Sequence, residues 1–272
     1  MRLDPEALGD LHSHLVPGVD DGARTLAEAL DAVEAMTRSG IRRIITTPHL
    51  QASILGDEER AESRIKAVQI AFRELAVAAR ARFPEVVLWR GFEVKLDVPD
   101  PDLSDPRLRM AGTRFVLVEW PAFQVPPGTE AVLARIRRAG WIPVLAHPER
   151  YHGLDEALSI PRRWKAAGAL LQVNHGSLLG QYGAEARSRA MRLLEAGLAD
   201  YLSSDHHPRP GYGLHVSPVR DLFRDMGAEE SFLTLTRINT QRLMDDKEPL
   251  PVPGFSPRSG FLSRLDGWLG RR

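Results

Sequence analysis

The sequence contains no cysteine among its 272 residues. This absence excludes disulfides, zinc sites built from thiolates and the low-pKa cysteine nucleophile on which one large class of phosphatases depends. An excess of charge of one sign is also missing, because 36 Lys and Arg residues balance 36 Asp and Glu residues. The balance argues against a chain that coats nucleic acid or an anionic membrane.

Long hydrophobic runs are missing as well. The N-terminus reads MRLDPE with no apolar stretch of signal-peptide length behind it, and no run of 18 apolar residues occurs anywhere. We therefore expect a soluble, cytoplasmic protein. The length predicts one large domain, since a β/α barrel uses about 250 residues as a single unit.

Short apolar runs alternate with segments of helical spacing, a pattern typical of repeated βα units around a parallel sheet. Thr25 and Glu28 form a capping-box pattern before a helix that ends at Gly40. Further helices are predicted over 58–82, 129–139, 155–167 and 184–196. Seven strands are predicted, over 10–14, 41–47, 86–93, 114–120, 141–147, 169–174 and 199–205.

The C-terminal part has a different composition. Residues 246–272 begin as a proline-rich connector and end in FLSRLDGWLGRR, so we place the end of the barrel domain at residue 245. A short amphipathic helix would align five apolar side chains: Phe261, Leu262, Leu265, Trp268 and Leu269. We expect this face to pack on its own domain or on a sister subunit of a homo-oligomer, and a membrane surface is the alternative.

Histidines and acids occur at the carboxyl ends of the predicted strands. In a parallel barrel these ends converge on one face, and such groups are costly to gather there unless they are paired or bind a cation. Imidazole with carboxylate and no sulfur suits Mn, Fe or Zn, and the several carboxylates favour Mn²⁺. The candidate ligands are enough for two or three ions and comprise His12, His14, Asp21, His49, Glu93, Glu119, His147, Asp205 and His207.

Seven motifs resemble one known family. They are DLHSHLxPGxDDG at 10–22, TPH at 47–49, GxE at 91–93, VEW at 118–120, AHPERY at 146–151, QVN at 172–174 and SDHH at 204–207. In type, order and spacing they resemble the polymerase and histidinol phosphatase superfamily. Within it, the chain is most similar to the bacterial manganese-dependent tyrosine-protein phosphatases of capsule and exopolysaccharide operons. The likeness runs from about residue 10 to residue 245.

The resemblance implies a distorted seven-stranded (β/α)7 barrel with a trinuclear metal site. One ion would be held by four residues: His12, His14, Glu93 and Asp205. Glu93 would bridge to a second ion on Glu119 and His147, and the third would lie on Asp21, His49 and His207. Asp20 remains an alternative to Asp21, because either side of this acidic pair fits the motif.

The resemblance also implies roles for residues that do not bind metal. Arg150, in HPERY, would clamp phosphate oxygens with its planar fork. Arg209 looks like a second such arginine, although it follows SDHH more closely than is usual in the family, and an exposed loop arginine is the alternative. His206 would point away from its two neighbours and act as a supporting group or a general acid. Asn174 would hydrogen-bond to ligands or to substrate.

Our hypothesis for the reaction is hydrolysis of phosphotyrosine by a hydroxide that bridges two metals, without a covalent enzyme intermediate. A suitable substrate is a phosphotyrosine protein such as the tyrosine-rich tail of a membrane kinase, which would link the enzyme to control of capsule or exopolysaccharide synthesis. The alternatives are a small-molecule phosphatase of the histidinol-phosphate type and an inactive regulatory barrel. A phosphodiesterase or exonuclease is disfavoured because a phosphate backbone needs a basic track.

Overall fold

All strand pairs in the computed structural model, which describes residues 6–209 and 213–254, are parallel. The strands form a three-stranded sheet in the order β1-β2-β4 and a six-stranded sheet in the order β3-β5-β6-β7-β8-β9. Their bounds are β1 Leu8–Asp10, β2 Ile41–Thr46, β3 His49–Gln51, β4 Val87–Arg90, β5 Glu93–Lys95, β6 Phe115–Glu119, β7 Ile142–Ala146, β8 Leu170–Asn174 and β9 Tyr201–Ser203.

Two of the predicted strands, 41–47 and 86–93, end early in the structure, and each is followed after a break by a second short strand. The break between β2 and β3 contains Pro48, which has no N–H to donate to a ladder. The break between β4 and β5 contains Gly91, where a Cβ would lie 3.1 Å from the Cα of Met110. These breaks turn the end of each strand away from its first half, which is why nine short strands replace the seven that the sequence predicts.

The segments that follow the first and last strands lie side by side. The Asp205 N–H donates to the His12 carbonyl over 2.9 Å, and the His14 N–H donates to the His206 carbonyl over 2.9 Å. Ser13 pairs with His206 in an isolated parallel bridge. The strand predicted over 10–14 is wrong in position, because β1 ends at Asp10 and both histidines of this segment come after it.

Nine α-helices occur in the described part of the chain. They are α1 Leu26–Arg38, α2 Glu58–Arg82, α3 Thr129–Arg138, α4 Ser159–Ala166, α5 His175–Leu178, α6 Ala184–Glu195, α7 Val216–Asp225, α8 Glu229–Leu233 and α9 Asn239–Met244. The five predicted helices correspond to α1–α4 and α6, with α4 starting at Ser159 and not at 155. The sequence did not predict α5 or α7–α9.

Glycine ends four of the predicted helices, as expected. Gly40, Gly140, Gly168 and Gly197 all have left-handed φ, at 90°, 92°, 91° and 64°. A left-handed residue after the last turn satisfies the final carbonyls of a helix, and only glycine adopts it without strain. At the start of α1, the Glu28 N–H donates to the Thr25 hydroxyl over 3.2 Å, as the cap pattern predicted.

Most strands are buried on both faces, whereas β3 and β4 are partly exposed, and the alternation along each strand sets which side chains point inward. In β6, Phe115 and Leu117 pack into a small central cluster, whereas Val116 and Val118 pack into the larger cluster beneath the helices. Residues two apart on a strand face the same side. Glu119 therefore points to the inside, at the carboxyl end of its strand.

The described chain continues past the predicted domain end. Asn239 in α9 donates its Nδ2 to the Leu250 carbonyl over 3.0 Å and accepts the Leu250 N–H over 2.8 Å. Val252 is buried. Residues 246–254 thus pack against the sheet domain, and the helix predicted over 261–272 lies outside the described residues. None of the described helices has the length and apolarity needed to cross a bilayer.

Candidate metal centre

The carboxyl ends of the strands bring all nine predicted ligands into one cluster. Within each of four groups, potential ligand atoms lie no more than 4.8 Å apart. The groups are His14, Asp21, His49 and His207; His12, Glu93 and His147; His12, His14 and Asp205; and His49, Glu93 and Glu119. Four residues occur in two groups each, so several possible cation positions lie side by side: His12, His14, His49 and Glu93.

Two imidazoles and two carboxylates converge at the centre of the cluster. The Nε2 atom of His12 lies 3.3 Å from a Glu93 oxygen and 3.4 Å from an Asp205 oxygen. The Nε2 atom of His14 lies 3.4 Å and 3.5 Å from the same two oxygens. This is the arrangement expected for the first ion.

Glu93 connects this centre to a second group. Its Oε1 lies 2.9 Å from Nε2 of His147, while its Oε2 lies 2.9 Å from Nδ1 of His49. Glu119 completes the group, with its two oxygens 3.8 Å from the His147 nitrogen and 3.5 Å from the His49 nitrogen. The two oxygens of Glu93 thus face different imidazoles, the geometry required of a bridging carboxylate.

The third group lies at the open side of the cluster. Asp21 places an oxygen 3.4 Å from Nε2 of His49 and 3.2 Å from Nε2 of His207. The Asp21 side chain is 51% exposed and that of His49 is 31% exposed. Because of those imidazoles, the pKa of Asp21 lies well below its ordinary value. This carboxylate therefore stays charged where solvent and a substrate can reach it.

Asp20 and Asp21 have different partners. One Asp20 oxygen accepts from Nδ1 of His14 over 2.7 Å and from the His49 N–H over 3.1 Å. The other accepts from the Gly22 N–H over 3.0 Å. Burial would raise the pKa of Asp20, but the bond from His14 outweighs it and lowers the pKa to about 2. Asp20 orients the His14 ring, which leaves Asp21 as the better ligand candidate.

A buried amide chain connects two of the candidate ligands from behind. Nδ1 of His12 donates to the Gln172 Oε1 over 2.7 Å, and Gln172 Nε2 donates to the Asn174 Oδ1 over 2.9 Å. Asn174 Nδ2 in turn donates to Asp205 over 2.8 Å. Asn174 is fully buried, so this arrangement favours the first of its two predicted roles, bonding to a ligand. Gln172 was not predicted, although its i, i+2 spacing from Asn174 on β8 was the available signal.

The chemistry of these side chains fits cations. Four buried atoms of the candidate ligands have no hydrogen-bond partner among the described residues: His49 Nδ1, Glu93 Oε2, Glu119 Oε1 and His147 Nδ1. Burial raises the pKa of Glu119 to about 7, with the neighbouring Glu93 charge adding to it. Nitrogen and oxygen donors without sulfur match borderline and hard divalent ions. A cation would satisfy the free acceptors and offset the crowded negative charge.

Two candidate ligands also carry backbone strain. His147 has a φ of 36° and Asp205 a φ of 50°, both in the left-handed region that non-glycine residues rarely adopt. Such conformations cost about 1–3 kcal/mol each and concentrate at functional sites. The strain fits a role for both side chains in the cluster.

The two predicted arginines lie at the edge of the cluster, and His206 does not join it. Arg150 Nη1 donates to Asp205 Oδ2 over 3.1 Å, and Arg209 donates to Asp21 over 3.2 Å. His206 belongs to none of the four ligand groups, and burial lowers its pKa to about 4. Its role, either as a supporting group or as a general acid, stays a prediction.

This chain is similar to known proteins in sequence and in structure. The tyrosine-protein phosphatase YwqE of Bacillus subtilis is 34% identical over 227 residues, which cover 82% of this chain and 87% of YwqE. The tyrosine-protein phosphatase CpsB of Streptococcus agalactiae is 27% identical over 237 residues, 82% of this chain and 92% of CpsB. One solved chain comes from a structural study of YwqE from Bacillus subtilis and CpsB from Streptococcus pneumoniae, which describes them as unique metal-dependent tyrosine phosphatases. It superposes on this chain with a TM-score of 0.77 at 26% identity, and the match covers 92% of this chain and all of that one.

A family model covers nearly the whole described domain. The model, described as capsular polysaccharide synthesis, CpsB/CapC, matches residues 8–245. That range includes every strand of the described residues and all nine candidate ligands. The chain therefore belongs to the CpsB/CapC family of capsular polysaccharide synthesis.

Proposed function

We propose that this chain is a metal-dependent protein-tyrosine phosphatase that uses Mn²⁺ held by the nine clustered residues. The observation that carries the proposal is Glu93, whose two oxygens face imidazoles of adjacent ligand groups, as a carboxylate shared between two ions must. The relatives named as tyrosine-protein phosphatases, and the metal dependence stated for the solved ones, support the same activity.

The proposed ligand sets are those that the family resemblance implies, and they divide the nine clustered residues differently from the four distance groups. His12, His14, Glu93 and Asp205 would hold one ion, and Glu93, Glu119 and His147 would hold a second. Asp21, His49 and His207 would hold the third. When bound, divalent ions neutralise phosphoryl charge and make a strong oxygen nucleophile available at neutral pH.

The protein's own groups position the substrate. Arg150 lies beside Asp205 with its side chain 20% exposed, so its remaining donors can reach oxygens of a phosphoryl group at the cluster. Arg209 lies next to Asp21 on the open side and would contact the same group or the peptide that carries it. A phenolate with a free pKa of about 10 leaves without a dedicated acid more easily than an alkoxide, so the site needs no acid in the position of His206.

The exposure of the third group favours a substrate that is part of a protein. Asp21 and His49 are reached from the surface, so a phosphorylated side chain projecting from a partner has access. A tyrosine-rich tail of a membrane kinase would present such side chains. Control of capsule or exopolysaccharide synthesis is the role that the family description supports.

We also propose that the two sheets form one distorted seven-stranded barrel. β2 with β3, and β4 with β5, count as single strands interrupted at Pro48 and Gly91. The bridge between Ser13 and His206 then joins the first strand to the last. In such a barrel the catalytic groups lie at the carboxyl ends of the strands, where the ligands are found.

The proposed activity is tested by comparing substrates. The purified full chain is assayed with a phosphotyrosine peptide, histidinol phosphate and a bis-aryl phosphodiester, with Mn²⁺ and then with an added chelator. We expect phosphate release from the phosphotyrosine peptide that requires Mn²⁺ and stops with the chelator. Faster metal-dependent turnover of histidinol phosphate would contradict the proposal, and so would release that continues unchanged in the chelator.

A further inference from the structure

The guanidinium group of Arg150 lies between two aromatic rings. Its Cζ atom is 4.2 Å from the centre of the Phe123 ring and 4.1 Å from the centre of the Tyr182 ring. One edge is fixed by the bond from Nη1 to Asp205 over 3.1 Å. Two aromatic rings and one carboxylate thus contact the planar group, and the carboxylate accepts from only one of its donors.

Phe123 is held in place at a cost in backbone strain. It and the preceding Ala122 both have a φ of 53°, in the left-handed region. The Phe123 carbonyl accepts the His152 N–H over 2.8 Å, which connects this loop to the segment that carries Arg150. The ring also meets the His147 imidazole edge-on at 5.5 Å. Such strain persists only where the surroundings enforce it, and here it places a ring over a guanidinium.

Tyr182 reaches the guanidinium from the turn between α5 and α6. Gly180 and Gly183, with φ of 82° and 92°, allow the chain to turn tightly on either side of it. The neighbouring Gln181 is anchored by the ring of His215, whose Nε2 donates to its Oε1 over 2.5 Å. Two separate loops, one after β6 and one after α5, therefore supply the two rings.

We infer that Phe123 and Tyr182 are positioning residues that hold the Arg150 fork in the plane where it can bind a phosphoryl group. The inference rests on the proposed function. An arginine side chain loses considerable rotamer freedom when it is fixed, and stacking on aromatic faces offsets that loss without using any of its donors. Without the rings, attraction to Asp205 would remain but would leave the plane of the fork undefined. The sequence offered no signal for the pair, because 59 positions separate them.

The test uses a leucine at each ring and a lysine at the arginine. We expect Phe123→Leu and Tyr182→Leu each to lower kcat/KM for a phosphotyrosine peptide about tenfold, the size of a partly desolvated cation–π contact. Tyr182→Phe should recover most of what Tyr182→Leu loses, since it keeps the ring. In an Arg150→Lys background, either leucine substitution should change kcat/KM less than twofold, because there is no planar fork left to hold.

Three controls separate the outcomes. Bound Mn²⁺ and the far-ultraviolet circular dichroism spectrum should be unchanged in the leucine variants, and Ile70→Ala, on the exposed side of α2, should behave as wild type. A wild type without phosphotyrosine hydrolysis would contradict the proposed function itself. An active wild type whose leucine variants keep full kcat/KM, or lose the same tenfold in the Arg150→Lys background, would overturn the positioning role alone.

Discussion

Buried carboxylates lie at both ends of the parallel strands, but only those at the amino ends are fully paired with groups of the protein. At the amino ends, Asp200 precedes β9 and is satisfied by the chain itself, through Lys165 Nζ at 2.7 Å and the Leu171 N–H at 2.8 Å. At the carboxyl ends, Glu93 and Glu119 each keep a buried oxygen that accepts no hydrogen bond from the described residues, although Lys95 Nζ lies 3.4 Å from the Glu119 oxygen. The first arrangement is complete without a ligand, and the second is complete only with one.

This difference separates stability from function. A buried acceptor left without a donor costs about 1–3 kcal/mol, and the carboxyl ends hold several such atoms. In the bare cluster, burial alone would raise the pKa of Glu93, but the imidazoles of His12 and His49 hold it well below its ordinary value. The charged Glu93 thus lies against imidazoles that are themselves candidate metal ligands. The comparison predicts that substitutions at the two ends have opposite consequences.

The largest expected effect is at the shared carboxylate. Glu93→Ala removes an oxygen pair that contacts ligands of all three proposed ions. We expect kcat/KM for a phosphotyrosine peptide to fall about a thousandfold, because metal neutralisation of phosphoryl charge is worth several kcal/mol. Steady-state kinetics measures the rate, and elemental analysis measures the bound Mn²⁺, which should fall below that of wild type.

Glu34 provides the matched control for this substitution. It is a glutamate on α1 whose side chain pairs with surface arginines, and Glu34→Ala should leave both rate and metal content unchanged. Retention of near-normal kcat/KM and full metal occupancy by Glu93→Ala would refute the bridging assignment and remove the distinction between the two ends.

At the amino ends of the strands, we expect a substitution to lower stability and to leave activity nearly unchanged, the opposite of the first prediction. Lys165→Met leaves Asp200 buried without its ammonium partner, and we expect the free energy of unfolding to fall by about 3 kcal/mol. The value of kcat should stay within twofold of wild type, since neither residue is near the cluster. Chemical denaturation measures the first quantity. A large loss of kcat in a stably folded Lys165→Met protein would show that the two ends are coupled.

Local signals in the sequence predicted most of the βα units. The ends of four helices were predicted from glycines, and the start of α1 was predicted from Thr25. Both signals were reliable because they depend only on neighbouring residues. The helices α7–α9 were missed even though Val219, Leu222 and Phe223 are buried at helical spacing. Proline at position 48 was a readable reason to break a strand, but its partner break at Gly91 depends on contact with Met110, which is far from it in sequence.

The sequence predicted the candidate ligands of the site, but it predicted the residues that orient them less well. Residues such as His147 and Asp205 follow apolar strands, and convergence of strand ends brings them together wherever the sheet is parallel. The choice between Asp20 and Asp21 depends on how one turn directs two adjacent carboxylates, and that is set by the bond to His14. The rings around Arg150 come from distant loops, so no local pattern reveals them.

The smallest expected effect concerns an imidazole that the cluster leaves out. His175 follows β8 and is buried, and neither ring nitrogen has a hydrogen-bond partner among the described residues. It thus resembles the unsatisfied ligands, yet it belongs to none of the four ligand groups. We expect a buried nitrogen without a hydrogen bond to mark a metal site only where carboxylates lie beside it. His175 should therefore influence the stability of the fold and not the binding of metal.

Burial lowers the pKa of His175 to about 3, and the nearby His215 adds to the shift. Because the folded state holds it neutral, the unfolded chain binds a proton that the folded chain does not as the pH falls below about 6.5. Stability is therefore lost on the acid side, by about 2 kcal/mol at pH 5, and is unaffected above pH 7. His175→Leu lacks this loss, so its free energy of unfolding relative to wild type should rise by that amount between pH 7.5 and pH 5, while bound Mn²⁺ stays the same. If the free energies of unfolding of the two proteins change in parallel with pH, His175 is not held neutral in the folded state. If His175→Leu binds less Mn²⁺ than wild type, His175 is itself a metal ligand.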